Sequence, residues 1–230
     1  MKVTYIYHSG FLVDTKSCYY LFDYYRGEIP MLDTEKPIIV FASHAHRDHY
    51  NPQVFPLLRE MGMKEILAVL AKDISKRKYP VSEIPVVRAR MDEEYELLAG
   101  TKVRTLHSTD AGVAYVVSCQ EGTLYHAGDL NDWVWEGEPE QDNRQMTGSY
   151  RYEIQKLKDS SIDVAFVPLD PRQEKYYAQG MLYFLKNVQV KEVYPMHYWD
   201  KAEIIEEFVK EYPEYGDVIK ATEKCKGEVI

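Results

Sequence analysis

Pro37-Ile38-Ile39-Val40-Phe41-Ala42-Ser43 runs directly into His44-Ala45-His46-Arg47-Asp48-His49. The first seven residues are apolar and partly β-branched, and they read as a buried strand. The next six hold three imidazoles and a carboxylate in the span of a loop. Neutral nitrogen ligands are concentrated in this way where a transition metal is held. A ligand cluster on a loop at a strand's carboxyl end is a common seat for reactive groups. Chemistry is therefore the leading expectation for this chain.

Outward from that stretch the pattern is strand-rich. Residues 3–7, 10–13 and 19–22 read as short strands, with the turn-like Asp14-Thr15-Lys16-Ser17 suggesting a hairpin or meander. Residues 52–61 read as a helix stopped by Gly62, and residues 66–70 as the next strand. Residues 102–106, 113–119 and 123–126 read as strands, the last two pairing about Gln120-Glu121-Gly122. Residues 130–149 turn polar and contain tryptophan, which suggests a loop or lid, with helix expected only over 150–157. Residues 164–168 and 190–194 read as strands, a helix is expected from about Glu174 to Asn187, another over 201–212, and a short closing strand over 218–220. Both halves begin with antiparallel character. Two sheets covered by helices outside fit this better than one parallel sheet, which gives an α+β class.

At 230 residues the chain has room for a large core, and a single domain over 1–230 is expected, with 130–150 as a lid or loop beside the cleft. A formal charge of −9 argues against long nucleic acid as a partner. The start, Met1-Lys2-Val3-Thr4-Tyr5-Ile6-Tyr7-His8, lacks the apolar core of a signal peptide, and no run is long enough to cross a bilayer. The expectation is a cytoplasmic protein with a small-molecule substrate and no membrane partner, a homo-oligomer being left open. Cys18, Cys119 and Cys225 are widely spaced and read as packing residues, without Cys-x-x-Cys spacing for a zinc knuckle.

The chain has seven histidines. His107, His126 and His197 each follow a strand-like run, as His44 does, so their side chains converge if neighbouring strands end at one edge. Asp129 sits in Ala127-Gly128-Asp129, where glycine permits a tight backbone. The economical arrangement is a two-metal centre. One ion takes His44, His46 and His107, the other takes Asp48, His49 and His197, and Asp129 bridges them.

This pattern resembles the metallo-β-lactamase superfamily, whose His-x-His-x-Asp-His signature matches His44-Ala45-His46-Arg47-Asp48-His49. The later histidine, bridging aspartate and final histidine of the family resemble His107, Asp129 and His197. The resemblance implies a four-layer αβ/βα sandwich and the same ligand roles. Tyr7-His8-Ser9-Gly10-Phe11 and Leu21-Phe22-Asp23 further resemble the ascorbate-phosphate lactonase-like branch.

Two divalent ions lower the pKa of a shared water and hold hydroxide near neutrality. The implied activity is a dinuclear metal-dependent hydrolase that directs a bridging hydroxide at a small ester, lactone or phosphoester. Zinc is the first expectation, with manganese or iron as alternatives. Asp129 and Asp48 are the candidate catalytic residues, Asp129 orienting the hydroxide and Asp48 handling the leaving-group proton. His8, Asp23, His126, Trp133, Trp135 and Arg172 are candidates for supporting the ligands or touching substrate. Competing readings are a nucleotide phosphodiesterase and a metal-binding structural or sensory protein without turnover.

Overall fold

The fold is described from a computed structural model covering residues 1–80 and 83–221. Apolar runs near the start form β1 (Lys2–Tyr7), β2 (Gly10–Asp14) and β3 (Tyr19–Phe22), a meander of antiparallel neighbours. β4 (Ile38–Ala42) then adds parallel to β3, followed by β5 (Ile66–Ala71) and β6 (Val86–Ala89). Every residue of β4 and β5 is buried, which is why they read as continuous apolar runs rather than alternations. The crossover between them carries helix α1 (Val54–Glu60), and Gly62 follows it at φ +87°.

The second sheet repeats this order. β7 (Glu94–Glu96), β8 (Lys102–His107), β9 (Val113–Cys119) and β10 (Gly122–His126) are antiparallel neighbours. β11 (Ser161–Pro168) and β12 (Gln189–Met196) then add in parallel. Helices α2 (Glu140–Gln155), α3 (Gln179–Asn187) and α4 (Glu203–Glu211) connect or follow these strands. The result is an α+β fold of two mixed six-stranded sheets flanked by helices, the sandwich expected from the strand pattern.

The two sheets meet through aromatic rings. Phe166 of β11 lies 4.3 Å from Phe11 of β2 and 5.8 Å from Phe22 of β3, centroid to centroid. Phe41 of β4 meets Tyr115 of β9 edge-on at 5.1 Å, and the Tyr115 hydroxyl donates to Ala42 O at 2.9 Å. All five rings are fully buried. Truncating one of these phenylalanines to alanine costs about 3–5 kcal/mol. This packing fixes the end of β4 relative to β9, and β2 and β3 relative to β11, and hence the site.

Three sequence expectations change. Helix α2 begins at Glu140, inside the stretch read as loop. Its buried residues are confined to Tyr150, Glu153 and Ile154, so the first turns carry no apolar stripe to read. Glu140 and Asp142 in the first turn suit the helix dipole instead. The helix expected from Glu174 starts at Gln179, after a 3₁₀ segment over Pro171–Tyr176. The strand expected over 218–220 is a single bridge, Val193 to Ile219. Cys18 is free and its thiol is pushed up to about 12 by burial, consistent with packing; Cys225 lies outside the described residues. No helix among the described residues is long and apolar enough to cross a membrane.

Candidate metal centre

Strand ends deliver the site. His8 follows β1, Asp23 follows β3, His44 to His49 follow β4, Asp129 follows β10, Asp170 follows β11 and His197 follows β12. All lie at the carboxyl ends of their strands. His8, Asp23 and His197 have φ of +59°, +43° and +65°, a left-handed backbone that non-glycine residues rarely adopt. Strain of this kind persists where the surroundings over-determine it, and it gathers at functional sites.

Asp129 is the centre of the cluster. Its Oδ2 lies 3.3 Å from His44 Nε2, while its Oδ1 lies 3.1 Å from His49 Nε2 and 3.4 Å from His197 Nε2. The two oxygens of one carboxylate thus face different histidine sets. Asp48 Oδ2 lies 3.4 Å from His8 Nε2 and 3.9 Å from His49 Nε2. Ligand-type atoms gather in three overlapping groups: His8, Asp48, His49 and His197; His44, His49 and Asp129; and His46, Asp110 and Asp129. The cluster is a dinuclear metal-binding site in its donor set, mixed imidazole and carboxylate with one carboxylate shared.

A second ring of contacts fixes the imidazoles. Asp23 Oδ2 accepts from His49 Nδ1 at 2.7 Å, and Asp170 Oδ2 accepts from His197 Nδ1 at 2.9 Å. His44 Nδ1 meets Ser43 Oγ at 2.9 Å, and that hydroxyl donates to Asp23 Oδ2 at 2.6 Å. Each ring therefore spends its Nδ1 proton outward and presents the Nε2 lone pair inward, as metal-ligating histidines do.

The inward atoms have no partner of their own. His44 Nε2, His49 Nε2, both ring nitrogens of His8 and Asp129 Oδ1 are buried without a hydrogen bond. His49 Nε2 and Asp129 Oδ1 are close but not aligned for one. Orphaned buried polar atoms are rare and costly, and here they converge on common points. Bound cations would satisfy them together, so the residues present fit a metal pair.

The electrostatics agree. Burial pushes the Asp129 carboxyl up, but His49, His44 and His197 outweigh it and hold it well below the usual carboxylate range. Burial pushes His49 down, yet Asp129 and Asp23 raise it well above its ordinary value. The pocket thus favours positive charge between these carboxylates. For Asp48, burial is outweighed by His8 and His49, so it is held below its ordinary value and is ionised near neutrality.

The structure does not bring His107 to this cluster. His107 is still paired with Val113 as the last residue of β8, and it lines a neighbouring cleft with Lys72, Asp73 and Arg90. The chain turns toward the cluster only afterwards, through Ser108 to Gly112. His126 holds the Asp129 turn: its Nδ1 accepts from Gly128 N at 3.1 Å, and its Nε2 donates to Ser9 O at 2.9 Å. His8 stands among the ligand-type residues, 4.3 Å from the His197 ring.

A cavity of ≈ 450 Å³ opens onto the ligands and is lined also by Trp133, Trp135 and Trp199. Trp133 Nε1 donates to Asp129 O at 2.8 Å, and its ring stacks parallel to Trp135. Arg172 lines the same cavity, but its fork is engaged by Asp170, the carboxylate that holds His197. Sequence reading missed Asp110, Asp170, Ser43 and Trp199. Asp170 carried the signal used for the histidines, a strand end; the other three carried none beyond nearness to a ligand.

The family model described as beta-lactamase superfamily domain matches residues 2–144. Igni18, a metallo hydrolase from Ignicoccus hospitalis, is similar in structure with a TM-score of 0.64 at 17% identity, covering 95% of this chain and 93% of its own. A protein of Veillonella parvula described as a possible metal-dependent hydrolase has a TM-score of 0.62 at 11% identity, covering 96% of each chain. The metallo-beta-lactamase fold protein YhfI of Bacillus subtilis has a TM-score of 0.57 at 11% identity, covering 91% and 90%. At these identities the likeness is one of fold. No curated protein matches the chain.

Proposed function

The chain belongs to the metallo-β-lactamase superfamily, and we propose that it is a metal-dependent hydrolase of a small ester, lactone or phosphoester. The observation that carries this reading is the division of Asp129, with Oδ2 toward His44 and Oδ1 toward His49 and His197 at the floor of an open cavity. Bound there, a pair of divalent ions supplies water activation near neutral pH and polarisation of the scissile group's oxygen. Zinc is the first candidate and manganese or iron the others.

The chain's own residues do the rest. Asp129 orients the attacking water, and Trp133, anchored on the Asp129 carbonyl, excludes bulk solvent from one side. Asp48 is ionised, so it takes up a proton rather than bringing one, and a leaving group draws its proton from solvent or from Asp48 after that uptake. The 131–135 stretch is tied down by Thr109 and Gln173, and it serves as a fixed wall more readily than as a lid. A cavity of ≈ 450 Å³ suits a small molecule. The lactonase-like reading fits that size, as does a phosphodiester.

The test is a substrate panel. Protein reconstituted with zinc, manganese or iron is assayed against nitrophenyl acetate, γ- and δ-lactones, nitrophenyl phosphate and bis-nitrophenyl phosphate. The expected result is turnover of one class that falls by about 10³-fold or more in Asp129→Ala. A fully loaded protein inert across the panel would make it a metal-binding module instead.

A further inference from the structure

Sequence spacing and family resemblance both assign the ion at His44 and His46 its third nitrogen from His107. We infer that Asp110 takes that place, so that this position is held by two histidines and Asp110 beside the shared Asp129. The inference rests on the metal-centre reading above and goes further by changing its ligand set.

The carboxylate of Asp110 and the ligand atoms of His46 and Asp129 all lie within 4.8 Å of one another. Asp110 lines the same cavity as His46, Asp48, Asp129 and His197. His107 joins no group of ligand-type side chains among the described residues, and its ladder partner Val113 keeps it in the strand.

The backbone that carries Asp110 is clamped to both ligand-bearing turns. On one side, Val113 N donates to Ser43 O at 2.9 Å. Gly112, at φ +67°, is pressed so closely on that segment that a Cβ would stand 1.9 Å from Ser43 O and 2.6 Å from His44 Cβ. On the other side, Thr109 Oγ1 donates to Asn131 O at 2.6 Å and accepts from Asn131 N at 3.0 Å. A turn fastened at Ser43 and at Asn131 spans the gap between His44 and Asp129, and Asp110 is its exposed acidic residue.

An independent observation points to a ligand in that gap. His44 Nε2, 3.3 Å from Asp129 Oδ2, is buried without a hydrogen-bond partner. A cation placed among His44, His46, Asp110 and Asp129 would answer it and draw on four donors.

The exchange changes the chemistry of the position. Two divalent ions carry four positive charges. Asp48, Asp110 and Asp129 supply three negative ones, leaving +1; with His107 only two would be supplied, leaving +2. The added carboxylate makes the first position harder, and it moves preference from zinc toward manganese or iron relative to a three-imidazole set.

The test uses apo protein prepared with a chelator, titrated with zinc and manganese in a calorimeter, and loaded with cobalt(II) for absorption spectroscopy. Wild type, Asp110→Asn and His107→Ala are compared. Both positions are exposed, and circular dichroism of the apo proteins checks that each variant keeps the fold. The expected result is that His107→Ala binds two ions with the wild-type spectrum. Asp110→Asn keeps one ion, binds the other at least about tenfold more weakly, and shifts the cobalt bands. Loss of an ion in His107→Ala, or unchanged binding in Asp110→Asn, overturns the assignment while leaving the metal centre intact. A wild-type chain that takes up no ion overturns the centre itself and the assignment with it.

Discussion

Asp23 Oδ2 accepts from His49 Nδ1 at 2.7 Å, so a carboxylate that touches no candidate ion sets the tautomer of a histidine in two of the ligand groups. The same carboxylate accepts from Ser43 N at 2.7 Å and from Ser43 Oγ at 2.6 Å. It is fully buried, and one residue therefore braces both His44 and His49.

Replacing that brace without changing its shape tests the arrangement. Asp23→Asn sets an amide NH₂ against a neighbouring donor, which costs about 1–3 kcal/mol of stability. It also loosens both histidines. Metal affinity is expected to fall about 10–100-fold. Urea unfolding of the apo protein and metal titration of the folded one measure the two effects separately, and unchanged affinity would show that Asp23 is only a packing group.

His8 gives a second prediction. Asn tolerates the left-handed backbone found at this position, so His8→Asn removes the imidazole while sparing the turn. The ion near Asp48, His49 and His197 is expected to bind about tenfold more weakly, with the other position unaffected. Equal affinity at both positions would leave His8 as a buried neighbour without a role in binding.

Gly112→Ala probes the clamp on the Asp110 turn. The new methyl has no space against Ser43 O, and the backbone there disfavours any side chain. A loss of at least about 1–3 kcal/mol is expected in urea unfolding, with weaker metal uptake. A variant as stable as wild type would mean that the turn is free to move.

A pH effect is expected away from the ligands. Asp132 is buried, accepting from Thr147 Oγ1 at 2.8 Å and Gln179 Nε2 at 2.7 Å. Burial raises its pKa above the ordinary 3.8, its two donors only partly opposing this. The folded state therefore holds this proton more tightly than the unfolded state, and stability falls as pH rises from that ordinary value through the raised one. Asp132→Asn removes this slope. Its unfolding midpoint is expected to gain on wild type as pH rises from about 4 to 7; a constant difference would contradict the assignment.

Much of this was legible because of where the chain concentrates its signals. The apolar run before His44 and the six residues after it fix a strand and a ligand loop together. Asp129 and His197 were readable as strand-end groups beside glycine or apolar runs. His107 carried the same mark, yet it is the last residue of β8, held by its ladder partner Val113 of β9, and only the turn after it brings Asp110 beside His46 and Asp129. An aspartate in a polar turn looks like any surface carboxylate. The start of α2 was hidden for a related reason, since helix turns that bury nothing leave no periodicity.

The most direct measurement is metal content per chain, by elemental mass spectrometry, on wild type and Asp129→Ala after reconstitution and removal of free metal. Two ions per chain in wild type, with a clear loss in the variant, is the result the dinuclear centre predicts. No retained transition metal in wild type, or equal content in both proteins, would contradict it.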